Sequence, residues 1–436
     1  MKKTKLLFVL CIFTGLLAAC NLPAVATTPA ATRLPTATET ATSPRASAQP
    51  PEATSRPASA PATPAPSARP AGEALTLYQV HMLNATQGWG WASHGDPGAG
   101  ASWLLRTSDG GQTWVNVSPQ VKMDYYSGFF LNAQAAWLSF YDQAANTSGL
   151  LRTTDGGQTW SSLPSFDFLQ NATVEFTDLN DGLALTAGVG AGNVYLNYYE
   201  THDGGTSWKP IPIKPPTGEP GLPTGTVHLC NICGDRLYYD PARLIITRGD
   251  MASDPSGFVQ LSISTDLGLN WKNLKLPLPD PKYAKGSVSP ISPVFFGAQG
   301  LLPVNILKYN QDGSLAFSVL AVYTTQDGGQ SWNALPSVLE TGPAIIDAVQ
   351  FVSPTDAFVR CGSHLCSTRD GARTWQVLPD SLNFDRAAST QDYVSQVSFI
   401  DPSTGWAISG ETSSSILWKS TDGGATWARQ SPTLAK

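Results

Sequence analysis

Beyond its first five residues the sequence has no run of basic residues, and it has few histidines. Lysine and arginine together number 27 against 33 aspartates and glutamates, so the chain carries a formal net charge of −6. An acidic domain without a basic stretch argues against a nucleic-acid partner. The histidines show no spacing typical of metal ligands, and we expect neither a metal nor another cofactor; they are His81, His94, His202, His228 and His364.

Long apolar stretches are also scarce, and the one near the N-terminus is too short to span a membrane. Residues 1–5, MKKTK, are basic, and the apolar LLFVLCIFTGLLAA that follows ends at Cys20. This is the layout of an export signal. The ending LAAC resembles the bacterial lipobox, in which the cysteine becomes the lipidated first residue. The resemblance implies a signal peptide over 1–19, acylation of Cys20 and anchoring to a membrane of the bacterial cell envelope, outside the cytoplasm.

Residues 21–72 lack aromatic side chains and consist almost entirely of Pro, Ala, Thr and Ser. Such a segment buries too little apolar surface to offset its chain entropy. We therefore expect a disordered tether over 20–72, on the order of 100 Å long at roughly 3.1 Å per residue. Without the three lysines of the first five residues and the net +2 of the tether, the predicted globular domain, 73–436, carries a charge of −11.

One phrase, Ser/Thr-x-Asp-x-Gly-x-x-Trp, recurs seven times, and we call it the box. Five copies are close to ideal, for example TTDGGQTW at 153–160, whereas the copies around Asp266 and Asp370 are altered and Ala372 replaces the glycine of the latter. Asp-Gly-Gly favours a turn, because glycine adopts positive φ and the carboxylate accepts backbone N–H groups. The aspartate and tryptophan pairs are Asp109 and Trp114, Asp155 and Trp160, Asp203 and Trp208, Asp266 and Trp271, Asp327 and Trp332, Asp370 and Trp375, and Asp422 and Trp427.

Over residues 75–436 the repeat resembles the Asp-box, or BNR, repeat of sialidases, sortilin-like receptors, xyloglucan-cleaving enzymes and photosystem II assembly factors. In those families the box is the turn that joins the third and fourth strands of a propeller blade. The resemblance implies that the box aspartates are structural turn residues. The box tryptophans are then expected to pack against neighbouring strands.

Most boxes are preceded by a strand, a tight turn and a second strand, as in VEFTDLNDGLALT at 174–186. Each repeat therefore predicts four strands, A to D, and seven sheets of about 50 residues fill the domain. The predicted fold is an all-β, seven-bladed propeller of four-stranded antiparallel blades. A ring of six or eight blades is the alternative, and it requires a box outside the blades or a blade that has lost its box.

In such a ring, the A–B turns and the boxes share one face, which we call the box face. The B–C loops and the D-to-A connections share the other, the loop face, and all long variable segments fall there, including 209–234 and 376–394. Variable loops on a repetitive scaffold commonly bind partners, so we expect a protein or glycan partner at this face. The candidate binding residues are Tyr125, Tyr141, Tyr198, Arg248, Tyr283, Tyr309 and Arg386.

Four cysteines lie in the predicted globular domain, in the segments CNIC and CGSHLC. Disulfides are expected in an exported protein, and pairing Cys230 with Cys233 and Cys361 with Cys366 is the simplest of three connectivities. A four-thiolate zinc site and a redox-active thiol pair are the alternatives.

The resemblance leaves an enzyme and a binding protein open. Sialidase chemistry needs three arginines that hold the substrate carboxylate, a tyrosine nucleophile activated by a glutamate, and an aspartic acid. The sequence departs from that pattern, because it has no Phe-Arg-Ile-Pro-like stretch and no arginine between Glu73 and Arg106, which leaves Arg243, Arg248 and Arg360 as candidates for the loop face. We therefore expect a monomeric, non-catalytic binding or assembly platform, with a glycosidase as the alternative.

Overall fold

A computed structural model shows seven antiparallel sheets in a ring, so the predicted seven-bladed propeller is confirmed. The predicted signal peptide, Cys20 and the tether up to residue 70 lie outside the described residues. The structure describes residues 71–93, 102–119, 124–142, 146–190, 193–211, 226–229, 236–240, 243–249, 257–266, 268–379, 382–385, 392–411 and 414–435.

Blades one to three use the first thirteen strands, and the first four strands of each blade pair antiparallel in chain order. Blade one contains β1 (Leu77–Met82), β2 (Gly88–Ser93), β3 (Ser102–Thr107) and β4 (Thr113–Asn116). Blade two contains β5 (Asp124–Phe130), β6 (Ala136–Asp142), β7 (Thr147–Thr153) and β8 (Ser161–Ser162). Blade three contains β9 (Ala172–Phe176), β10 (Gly182–Gly190), β11 (Asn193–Thr201), β12 (Lys209–Pro210) and an added strand, β13 (Thr226–Leu229).

Blades four to seven repeat this plan, and blade five is enlarged. Blade four contains β14 (Arg236–Asp240), β15 (Arg243–Arg248), β16 (Phe258–Ser264) and β17 (Lys272–Pro277). Blade five contains β18 (Ser287–Pro290), β19 (Val294–Phe296), β20 (Gln299–Tyr309), β21 (Leu315–Thr325), β22 (Asn333–Ala334) and β23 (Leu339–Glu340). Blade six contains β24 (Ile346–Phe351), β25 (Ala357–Cys361), β26 (His364–Thr368) and β27 (Gln376–Val377), and blade seven contains β28 (Val394–Phe399), β29 (Gly405–Ser409), β30 (Ile416–Ser420) and β31 (Ala428–Arg429).

The ring closes on blade one. The last strand, β32 (Thr433–Leu434), pairs in parallel with β4 and makes blade one five-stranded. Residues just before β1 bond to the same segment, because the Gly72 N–H donates to the Leu434 carbonyl over 2.8 Å. Both ends of the described domain therefore fasten to each other beside the first blade.

Apolar side chains fill the seams between blades. Trp137 of blade two stacks on Phe176 of blade three with ring centroids 3.8 Å apart, and Phe358 of blade six stacks on Phe399 of blade seven at 3.4 Å. Stacked aromatic pairs add to the free energy gained by burial alone. The core is thus a set of inter-blade layers.

The box is a hydrogen-bonded turn, as predicted. In the second copy Thr153 Oγ1 donates to Asp155 Oδ1 over 2.8 Å, and the Gly157 N–H donates back to Thr153 Oγ1 over 2.8 Å. The carboxylate also accepts the N–H and the hydroxyl of Thr159, at 2.9 and 2.6 Å. Burial raises the pKa of Asp155, but these hydrogen bonds together outweigh it and lower the pKa below its ordinary value.

Basic side chains join neighbouring blades on the box face. At five seams the described residues place a cation of one blade on a carbonyl of the next blade's A–B turn. These contacts are Arg106 to Ala133, Arg152 to Leu179, Arg243 to Gly297, Arg369 to Pro402 and Lys419 to Ala85. The box-face cations therefore serve the scaffold.

Candidate functional site

The loop face is uneven because the B–C hairpins differ in length. Strands B and C have eleven residues each in blade five and nine in blade three, but only five in blades six and seven. At about 3.3 Å per residue, the blade-five hairpin rises roughly 20 Å higher than its neighbour in blade six. Strands β13 and β23 pair with the upper parts of β11 and β21, which makes both tall hairpins three-stranded. The loop face thus has two raised walls and a low side at blades six and seven.

A cavity opens on the low side, at the seam between blades six and seven. Its volume is about 410 Å³, within the usual range for ligand pockets. It is lined by Leu382, Asn383, Asp392, Ser409, Gly410, Ser414, Ile416 and Trp418. The connection from blade six to blade seven forms one side, and the B–C hairpin of blade seven forms the other.

Local packing holds the cavity walls in place. Phe384 is 2% exposed and anchors the connecting loop in the seam core, where Leu382 and Trp418 pack beside it. The Val394 N–H donates to the Asn383 carbonyl over 2.8 Å, and the Trp418 Nε1–H donates to Ser409 Oγ over 2.9 Å. The cavity therefore combines fixed apolar walls with amide, hydroxyl and carboxylate groups.

Charge is distributed unevenly over the loop face. Lys282 and Lys285 are exposed on the connection between blades four and five, where Lys282 Nζ lies 3.7 Å from Glu340 Oε2. On the low side, the described residues of segments 378–393 and 410–415 include three carboxylates, Asp385, Asp392 and Glu411, and no basic side chain. The low side is therefore acidic, whereas basic and acidic groups are mixed at blade five.

Several predicted binding residues do lie on the loop face. Tyr309 is 42% exposed at the tip of the tallest hairpin. Arg248 ends β15, and the Tyr141 hydroxyl near the end of β6 donates to Asn146 Oδ1 over 2.6 Å. For Tyr125 the structure describes the backbone within β5, and Arg386 lies outside the described residues.

Two predicted binding residues are buried, and this part of the prediction is wrong. Tyr198 is 1% exposed inside blade three, where burial and then the charge of Glu175 raise the pKa of its hydroxyl. Tyr283 is 2% exposed, packs against Phe317, and shares a 3.1 Å hydrogen bond with Glu340 Oε2. Both tyrosines fill the core beneath the loops and are closed to a ligand.

The arginines expected at the loop face do not gather there. Arg243 does not lie at the loop face as expected. It is the first residue of β15, beside the A–B turn, and its Nη2 donates to the box-face carbonyl of Gly297 over 3.4 Å. Arg360 is 4% exposed inside blade six, with its Nε 3.2 Å from Asp347 Oδ1. Neither side chain is placed to bind a substrate carboxylate together with Arg248.

The disulfide prediction is confirmed where the structure describes it. Cys361 and Cys366 form a disulfide across the B–C turn of blade six, with Cα atoms 5.9 Å apart. This bond cross-links the turn that borders the low side of the loop face. Cys230 and Cys233 lie outside the described residues, so their pairing remains a prediction.

The site residues that sequence reasoning missed are Asp392, Asn383 and Trp418. The first two lie in the variable segment 376–394, whose length was the only signal. Trp418 lies in β30, outside the box and outside the second strand of blade seven. A tryptophan at such a position was a signal that the sequence offered. Among the residues described, no helix is long and apolar enough to cross a membrane, and no three metal-ligating side chains converge.

No protein-family model matches the chain, and no curated protein is similar to it at a significant level. Among solved structures, one of YCF48 bound to a D1 peptide shares 17% identity, covering 83% of this chain and 97% of that chain, with a TM-score of 0.46. A GH74 enzyme of Niastella koreensis shares 12% identity over 83% of this chain and 67% of that chain, with a TM-score of 0.33. An α-L-arabinanase of Penicillium chrysogenum complexed with arabinobiose shares 12% identity over 69% of this chain and 94% of that chain, with a TM-score of 0.39.

Proposed function

We propose that this protein is a lipid-anchored Asp-box propeller of the bacterial cell envelope that binds a protein or an envelope polymer at its loop face without catalysing a reaction. The observation that carries the proposal is the contrast between the two faces. Backbone carbonyls of the box-face turns accept the chain's own cations, whereas the loop face offers raised hairpins and an open cavity. Uneven loops on a uniform ring are where such scaffolds bind partners. The presence of both basic and acidic side chains on the loop face favours a protein over a uniformly charged polymer.

Photo-crosslinking in the native envelope tests which face binds. A photoreactive amino acid replaces Tyr309 on the loop face or, as the matched control, Gln158, which is exposed on the box face. We expect a discrete crosslinked species with the probe at 309 and none with the probe at 158. Equal crosslinking from both positions, or crosslinking from 158 alone, contradicts the proposal. Turnover of a sialoside or an aryl glycoside by the purified chain contradicts its non-catalytic part.

The anchor is tested separately at Cys20. Because two or three acyl chains on one residue give stable membrane attachment, Cys20→Ala is expected to abolish incorporation of labelled palmitate and to release the protein from the membrane fraction. Cys11→Ala is the control, since Cys11 lies within the apolar stretch of the export signal and is no part of the LAAC pattern. Unchanged labelling of the Cys20 variant would show that the protein is anchored in another way.

A further inference from the structure

The seam between blades six and seven has two ends, and its box-face end holds the side chain of Arg369. There the guanidinium carbon of Arg369 lies 4.8 Å from the centre of the Phe358 ring. Its Nη1 is 3.4 Å from Asp356 Oδ1, and its Nη2 donates to the Pro402 carbonyl over 2.7 Å. An aromatic face, a carboxylate and a carbonyl together suit a guanidinium, which is planar and donates in several directions.

The loop-face end of the same seam offers similar groups in the open cavity. Trp418 is half-buried, and because its N–H is committed to Ser409, the indole presents carbon surface to the cavity. Asp392 supplies an exposed carboxylate, and Leu382 and Ile416 supply apolar contacts for an aliphatic stem. Among the described lining residues no basic side chain occupies the space.

The charge around the cavity selects the sign of the ligand. The described residues of the two segments that contribute to its walls, 378–393 and 410–415, carry a net charge of −3, from Asp385, Asp392 and Glu411. The cavity, at about 410 Å³, is also larger than one side chain requires, so it has room for the neighbouring residues of an extended peptide. Aromatic and acidic walls together favour arginine over lysine, because the guanidinium stacks on a ring and pairs with a carboxylate at the same time.

We propose that the cavity between blades six and seven binds an arginine side chain of an extended polypeptide, stacked on Trp418 and paired with Asp392. The proposal rests on the loop face being the binding face and names the chemistry that this part of it recognises. Arginine-bearing polypeptides are thereby the class of partner that fits the low side of the loop face.

Titration calorimetry of the full chain, purified in detergent, tests the site. The probe is the peptide acetyl-Gly-Ser-Arg-Ser-Gly-amide, and its matched control contains citrulline, which keeps the shape of arginine and removes the charge. We expect the arginine peptide to bind and the citrulline peptide to bind roughly tenfold more weakly. Equal affinity of the two peptides, or binding of neither at millimolar concentration, overturns the proposal.

Variants of the chain locate the binding. Asp392→Asn and Trp418→Leu are each expected to lower the affinity for the arginine peptide by about tenfold. The control Asp312→Asn removes a carboxylate from the exposed tip of the blade-five hairpin and is expected to leave that affinity unchanged. Because Asp392 is exposed, its variant keeps the test valid even if Trp418→Leu fails to fold. Equal losses in all three variants place the peptide elsewhere and refute the site.

Three further results separate the possible failures. If the peptide binds only to the Arg386→Ala variant, the chain's own Arg386 fills the cavity and the proposal for an external ligand is wrong. If no peptide binds while the probe at 309 still crosslinks a partner, the arginine site fails and the loop-face platform stands. If the peptide binds as expected while crosslinking arises only from position 158, the proposal that partners bind at the loop face is wrong, and the proposal that the cavity binds arginine is supported.

Discussion

Replacing Trp160 by alanine is expected to lower the free energy of unfolding by roughly 3–5 kcal/mol. Its side chain is fully buried between blades one and two, among Trp89, Leu104 and Leu138. Its Nε1–H donates to the Val117 carbonyl of the preceding blade over 2.7 Å, so truncation removes an inter-blade hydrogen bond as well as apolar contact. Urea denaturation at neutral pH, followed by far-ultraviolet circular dichroism, measures the loss.

Trp375→Ala is the matched control for that experiment. Trp375 holds the same box position in blade six, but it is only half-buried, and its indole nitrogen has no hydrogen-bond partner among the residues that the structure describes. Its box also contains Ala372 at a φ of +68°, a conformation that disfavours any residue other than glycine. We expect this variant to lose clearly less stability than Trp160→Ala. Equal losses would mean that box tryptophans contribute through something other than their burial.

Acidification from pH 5 to pH 2 is expected to destabilise the propeller steeply. Hydrogen bonds from Ser331 and Thr325 hold the pKa of Asp327 far below its ordinary value of 3.8, and the corresponding bonds lower the pKa of Asp370 to about 2. A carboxylate with a depressed folded-state pKa stabilises the fold above its unfolded-state pKa, and this stabilisation disappears as the pH falls through the folded-state value. The other five box aspartates are shifted in the same direction, so seven small effects add.

The midpoint of urea unfolding, measured from pH 7 to pH 2, checks this prediction. We expect a nearly constant midpoint above pH 5 and a fall between about pH 4 and pH 2. Glu175 has the opposite effect on stability at low pH, because burial raises the pKa of its carboxyl. It is a single group, whereas seven box aspartates have lowered pKa values. Added salt is the control, since it screens general charge repulsion and leaves hydrogen bonds within a turn largely intact. Loss of the acid transition in 0.5 M salt would assign the effect to net charge instead of the boxes.

The repeated elements were predictable from the sequence because their interactions are local. Within eight residues, six of the seven boxes contain the hydroxyl, the carboxylate and the positive-φ glycine that complete the turn, as in Thr153, Asp155 and Gly157. The spacing of the copies therefore indicated the number of blades. The Cys361–Cys366 disulfide was predictable for the same reason, since five residues separate its partners.

Residues whose role depends on distant contacts were not predictable in this way. Tyr198 and Tyr309 both stand in long B–C hairpins, yet one is buried within its blade and the other is exposed at a tip. Which of them reaches solvent depends on the neighbouring blade and on the added strands, and a single repeat contains no information on either. Arg243 was misplaced because the acceptor of its hydrogen bond, Gly297, belongs to the next blade.

The sequence by itself determined the turn chemistry, the strand order within each blade and the count of seven, because each depends on contacts among residues close together in the chain. Only the tertiary structure decided the closure of the ring by β32, the burial of candidate tyrosines and the cavity beside Trp418 and Asp392. These features arise where segments far apart in sequence meet, and their geometry depends on the packing of whole blades against each other.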